Sequence, residues 1–116
     1  MAKHDFGIMQ NEPMNNERFD VSEPDKYHCI QLHDDFIEDI LMDLENVPCY
    51  WHTLQVPGKG LAYWGITLIP PQSIELFIQI LSSQHQSEYN DLISLANQAK
   101  KENKYIIHFG IYSIIE

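Results

Sequence analysis

Six histidines are spread over the chain, at His4, His28, His33, His52, His85 and His108. Imidazole is the side chain that titrates near neutral pH and the commonest metal ligand. A helical zinc motif places two of them at i and i+4, and no pair here has that spacing. His33-Asp34-Asp35 is a local cluster, but Asp34 or Asp35 is accounted for as the cap of a helix. His28, His52 and His108 fall in stretches that read as strands, where a lone histidine is a hydrogen-bonded structural group. No metal site, cofactor or catalytic residue is assigned.

The carboxylates are the next candidates. Asp and Glu number 17 against 7 Lys and Arg, for a formal charge of −10. Asp35, Glu38, Asp39 and Asp43 recur on one solvent stripe of a helix. A general acid or base needs shielding to shift its pKa, and an open stripe gives none. Such a stripe suits docking of a basic protein, which needs only exposure and charge density. The same charge repels nucleic acid and anionic lipid.

Cys29 and Cys49 are too few for a disulfide scaffold. Both lie in apolar runs and read as buried free thiols of a reducing compartment. His28 adjoins Cys29, but neighbours on a strand point to opposite faces and cannot pair as base and nucleophile. Pro57-Gly58-Lys59-Gly60 lacks the longer glycine frame and the Lys-Ser or Lys-Thr ending of a phosphate loop, and reads as a strand connection. Tyr50, Trp51, Tyr63 and Trp64 cluster on the two strands that it joins. Tyr63 and His108 are the polar groups for a candidate pocket between a sheet face and the N-terminal arm.

These residues need elements to position them. Residues 1–25 are turn-rich, with Pro13 and Pro24, yet carry Phe6, Ile8, Met9, Phe19 and Val21. They read as an irregular arm on a single α+β domain of residues 26–116. Strands are expected over 27–32, 49–56, 61–69 and 105–112, with helices over 35–46, 74–82 and 88–102. Ser73 and Ser87 read as helix caps. The element order, β-α-β-β-α-α-β, is that of ferredoxin-like folds. A four-stranded antiparallel sheet would carry its helices on one face, with Trp64, Ile66 and Leu68 beneath them in the core. Tyr63 and Thr67 would lie on the open face, and a homodimer through that face would cover it. The runner-up adds a fifth strand from the arm.

The N-terminus has no apolar signal core, and no run approaches a membrane span, so the expected compartment is the cytoplasm. The function expected is non-enzymatic: an acidic partner of a basic protein, of the antitoxin or immunity type. The alternative is a small enzyme or ligand-binding domain using the Tyr63–His108 pocket.

Overall fold

The computed structural model describes residues 2–111. Six strands form one sheet: β1 (Lys3–Ile8), β2 (Ile30–His33), β3 (Pro48–Trp51), β4 (Pro57–Lys59), β5 (Ile66–Ile69) and β6 (Ile106–Phe109). Their spatial order is β2-β1-β6-β5-β3-β4, and every pairing is antiparallel. The helices are α1 (Asp34–Glu38), α2 (Leu41–Leu44), α3 (Pro71–Ser83) and α4 (Asn90–Glu102). The α+β class expected from the pattern is present. The four-stranded, ferredoxin-like sheet is not.

Two strands account for the difference. β1 comes from the arm and lies inside the sheet, between β2 and β6. It is paired on both sides, so most of its backbone groups find partners without a long regular pattern in sequence. β4 comes from the segment expected to be a connection. It is three residues long, begins with a proline that has no N–H to donate, and occupies a sheet edge, where proline is tolerated.

Cross-strand pairing fixes which side chains share a face. Phe6 pairs with His108, His108 with Thr67, and Ile106 with both Ile8 and Ile69. This set faces the helices. There Phe6, Ile69 and Ile106 join Ile37, Ile40 and Leu44 of the α1–α2 region, Ile74, Phe77 and Leu81 of α3, and Leu92, Ala96 and Ala99 of α4. The i, i+3, i+4 spacings of these helical residues give each helix its apolar stripe. α3 begins behind Pro70 with Pro71 in its first turn, where a missing N–H costs nothing, and α4 ends at Asn103 in the left-handed conformation.

The opposite face holds a second core. Ile66, Leu68, Ile107 and Phe109 are buried there against Met9, with Phe19, Tyr27 and Leu54 packed around them. Residues 9–29 therefore cover the face that was expected to be open. The expected facing is reversed: Thr67 lies toward the helices, while Ile66 and Leu68 lie toward the arm. The reason is that all four β5 residues are buried. A strand buried on both faces has no polar side to set its phase.

Trp64 is not in the core; it is 65% exposed in the turn before β5. On the helix stripes, Ile37 and Phe77 are buried, whereas Leu41 and Ile93 pack on the core half-buried. The expected helix over 35–46 breaks at Asp39–Ile40 into α1 and α2. Ser73 lies within α3, its hydroxyl donating to the Pro48 carbonyl at 2.6 Å. Ser87 opens a short 3-10 turn, Ser87–Tyr89, ahead of α4. Tyr112, at the end of the last expected strand, lies outside the described residues. No helix among the described residues is long and apolar enough to cross a membrane.

Gly110, directly after β6, lets the chain pass the Tyr63 carbonyl. A Cβ added there would stand 2.2 Å from that oxygen. Gly110→Ala should therefore destabilise the fold by about 2 kcal/mol or more in equilibrium urea unfolding. A loss below about 0.5 kcal/mol would contradict this packing.

Candidate functional site

β1 and β6 bring two histidines together that are 104 residues apart in sequence. His4 Nδ1 and His108 Nε2 lie 2.9 Å apart, and the rings stack with centroids 5.1 Å apart at 15°. Both residues are fully buried. Phe6 packs against the His108 ring at 4.9 Å. On one side of the pair, His4 Nε2 reaches Asp34 Oδ1 at 2.9 Å. On the other, His108 Nδ1 lies 3.1 Å from Thr67 Oγ1.

Both ends of this chain grip the same turn. Thr67 Oγ1 accepts the backbone N–H of Ala62 at 2.8 Å, and the Tyr63 hydroxyl donates to Asp34 Oδ1 at 2.6 Å. Ala62 and Tyr63 are consecutive, so the hydrogen bonds close a ring: Ala62, Thr67, His108, His4, Asp34, Tyr63. The Tyr63 hydroxyl also stands 3.4 Å from Glu38 Oε2. Trp64 meets the Tyr63 ring edge-on at 5.0 Å.

Donor and acceptor counting assigns the hydrogens. Burial lowers the pKa of His4 even though Asp34 works against it, and burial with the nearby His4 lowers that of His108 further. Both rings are neutral near pH 7. Burial pushes the Asp34 carboxyl up, but hydrogen bonds from Tyr63 and His4 outweigh it and leave the group below the ordinary range. An ionised Asp34 requires His4 to carry its hydrogen on Nε2. His4 Nδ1 then accepts from His108 Nε2–H, and His108 Nδ1 accepts from the Thr67 hydroxyl. Every link has one hydrogen. The His4–Asp34 contact is thus a hydrogen bond to a charged acceptor, not an ion pair. Burial and the Asp34 hydrogen bond push the Tyr63 hydroxyl pKa up, keeping it a donor.

The surface above the ring is acidic. Asp35, Glu38, Asp39 and Asp43 are all exposed, Asp35 to 78% of its side chain. The first three share a helix face by spacing, and Asp43 follows one turn later in α2. Among the described residues no Lys or Arg forms an ion pair with any of the four. Met42, at 83%, and Trp64 are the large apolar side chains exposed on these elements.

The expected pocket pair is found in one network but not in contact: His4 and Asp34 stand between His108 and Tyr63. His108 faces the helices rather than the arm, and two open clefts of about 620 and 660 Å³ lie elsewhere, lined by neither residue. The cap of α1 is not an aspartate. His33 is the N-cap, its Nδ1 accepting from the Asp35 N–H at 3.1 Å, which leaves Asp34 available to the ring. Burial pushes both thiols up to about 12, which disfavours the reactive thiolate at neutral pH; Cys49 is buried and Cys29 half-buried. Sequence reasoning missed His4, Asp34 and Thr67. Period-two alternation of His4, Phe6 and Ile8 was the available signal for the first.

The histidine pair sets a pH dependence. An unfolded imidazole titrates near about pH 6.5, while both folded ones titrate lower. Their contribution to stability is complete above about pH 6.5 and is lost as pH falls from there toward the folded values. The limiting slope is about 1.4 kcal/mol per pH unit for each ring. Urea unfolding should show stability about 1–2 kcal/mol lower near pH 5.5 than near pH 7.5. A flat or rising profile would contradict neutral buried histidines. Comparison with protein-family models, with curated proteins and with solved structures finds no match to this chain, so the site is read from its own geometry.

Proposed function

We propose that the chain is a binding protein for a basic partner, of the antitoxin or immunity type, engaged through the acidic α1–α2 surface. One observation carries this: an exposed tryptophan stands beside an unneutralised acidic face. Asp34 holds the Tyr63 hydroxyl within 3.4 Å of Glu38, and the Tyr63 ring meets Trp64 edge-on. Dense carboxylates accelerate encounter with a cationic surface, while an exposed aromatic supplies contact area once the two meet. Trp64 can also stack on a lysine or arginine of the partner. The ring fixes the turn beneath it, so little freedom is lost on binding.

A homodimer through the sheet face has less to gain than the sequence promised, because residues 9–29 already bury Ile66, Leu68, Ile107 and Phe109. The docking proposal rests on the α1–α2 surface and the Trp64 turn.

Co-purification and mass spectrometry identify the partner, and stopped-flow association then tests the surface. Neutralising it with E38Q, D39N and D43N should slow association about tenfold, as should raising salt from about 0.05 to about 0.5 M. Folding stability should change by less than about 0.5 kcal/mol, because all three side chains are exposed. Trp64→Ala should instead raise the dissociation rate about tenfold. An association rate indifferent to both salt and the triple variant places the partner elsewhere.

A further inference from the structure

The ring that closes on Ala62 and Tyr63 accommodates both rings neutral with one hydrogen per link. It cannot take up another proton without rearranging. If His4 is charged, it donates from both nitrogens, so His108 must accept at Nε2 and carry its hydrogen on Nδ1. If His108 is charged, it again carries a hydrogen on Nδ1. Wherever the charge sits, a hydrogen arrives at His108 Nδ1, where the Thr67 hydroxyl had been donating at 3.1 Å. Thr67 is fully buried. Its hydroxyl must either point its hydrogen at no partner or turn and release the Ala62 N–H.

We propose that this ring is a proton-operated clamp on the Ala62–Trp64 turn: one proton taken up by the His4–His108 pair displaces the Thr67 hydroxyl and loosens the turn that presents Trp64. The opposite end of the ring responds in the same sense. A charged pair draws Asp34 toward His4 and weakens the hold of that carboxylate on the Tyr63 hydroxyl, both of which now share Oδ1.

The groups facing the pair permit this. His108 comes from β6, Asp34 and Glu38 from α1, and Tyr63 from the turn. Asp5 and Lys3 flank His4 along β1, and His33 lies beside Asp34. Leu32 of β2 is the cross-strand neighbour of His4, and the core that α3 and α4 bring to β1 is apolar, with Phe77, Leu92 and Ala96. The nearby carboxylates attract a proton, while burial resists it. The clamp stands independently of the docking proposal, since it is read on the free protein.

The test uses the unaltered chain. Long-range proton–nitrogen spectra of the imidazoles, recorded from about pH 8 to about pH 4.5, report which nitrogen carries hydrogen. The expected start is a hydrogen on Nε2 of both rings. On acidification, His108 Nδ1 should gain one, and the Ala62 amide and Trp64 indole signals should move on the same curve. Ala62 hydrogen exchange, corrected for the intrinsic effect of pH, should accelerate about tenfold while that of Leu81 in α3 does not. Four results would overturn the clamp: a pair that stays neutral down to about pH 4.5, an initial hydrogen on His108 Nδ1, a pair that titrates without moving Ala62 or Trp64, or loss of the whole spectrum in one step as the pair charges.

Discussion

An imidazole has two nitrogens, and in a buried site both need a partner. Placing two such rings in the helix-side core constrains much of what surrounds them. The register of β1 on β6 sets the rings against each other. α1 must begin directly after β2 so that Asp34 meets the outer nitrogen. Thr67 must face the helices, which fixes the phase of β5. Gly110 must lack a side chain so that Tyr63 can come close enough to reach Asp34. Breaking any of these leaves a buried polar atom without a partner, and such an atom costs more than its hydrogen bond contributes when made.

The two faces of the sheet are stabilised differently. Helices with regular apolar stripes cover one. An irregular segment covers the other with a few large side chains, and is tied down by polar contacts at particular points. Phe19 donates its N–H to the His52 carbonyl at 2.7 Å, and the His52 ring reaches back to the Phe19 carbonyl at 2.9 Å. His52 sits at a positive φ of 66° to make that exchange. Gly7 gives Tyr27 and Cys29 room to lie on β1, because a Cβ there would stand 2.7 Å from the Tyr27 Cβ. The arm is therefore part of the fold, although its sequence contains long polar stretches.

Elements with one buried side were legible from sequence. α3 and α4 have apolar stripes at helical spacing opposite polar faces, and their expected spans agree with the structure to within a few residues. β5 was found but turned over, because burial on both faces erases the alternation that gives a strand its phase. β1 was read only in the runner-up, as a fifth strand from the arm, and β4 was missed. β1 is framed by a turn-rich segment, and β4 is a three-residue edge containing proline and glycine. The acidic surface was readable because exposure and charge are local properties of a helix. The ring was not, because it joins residues from four separated segments, and a histidine on a strand looks the same in sequence whether or not another one faces it. Asp34 was recognised as a helix-start residue, but His33 makes the capping contact, freeing the aspartate for tertiary use.

The position of β1 in the sheet also bears on how the chain folds. This early strand lies against β6, made about a hundred residues later, and against β2, with no other neighbour. Closing so long a loop costs entropy before any contact rewards it. On a ribosome, β1 and β2 could pair as a hairpin, but β5 and β6 would still be missing from its other side. The helices would have only fragments of their floor, and the arm would have nothing to cover. Assembly of both cores must wait for β6 to emerge. A sheet of this topology closes as a unit, and the apolar stripes of α3 and α4 have their full floor only once β1 and β6 have paired.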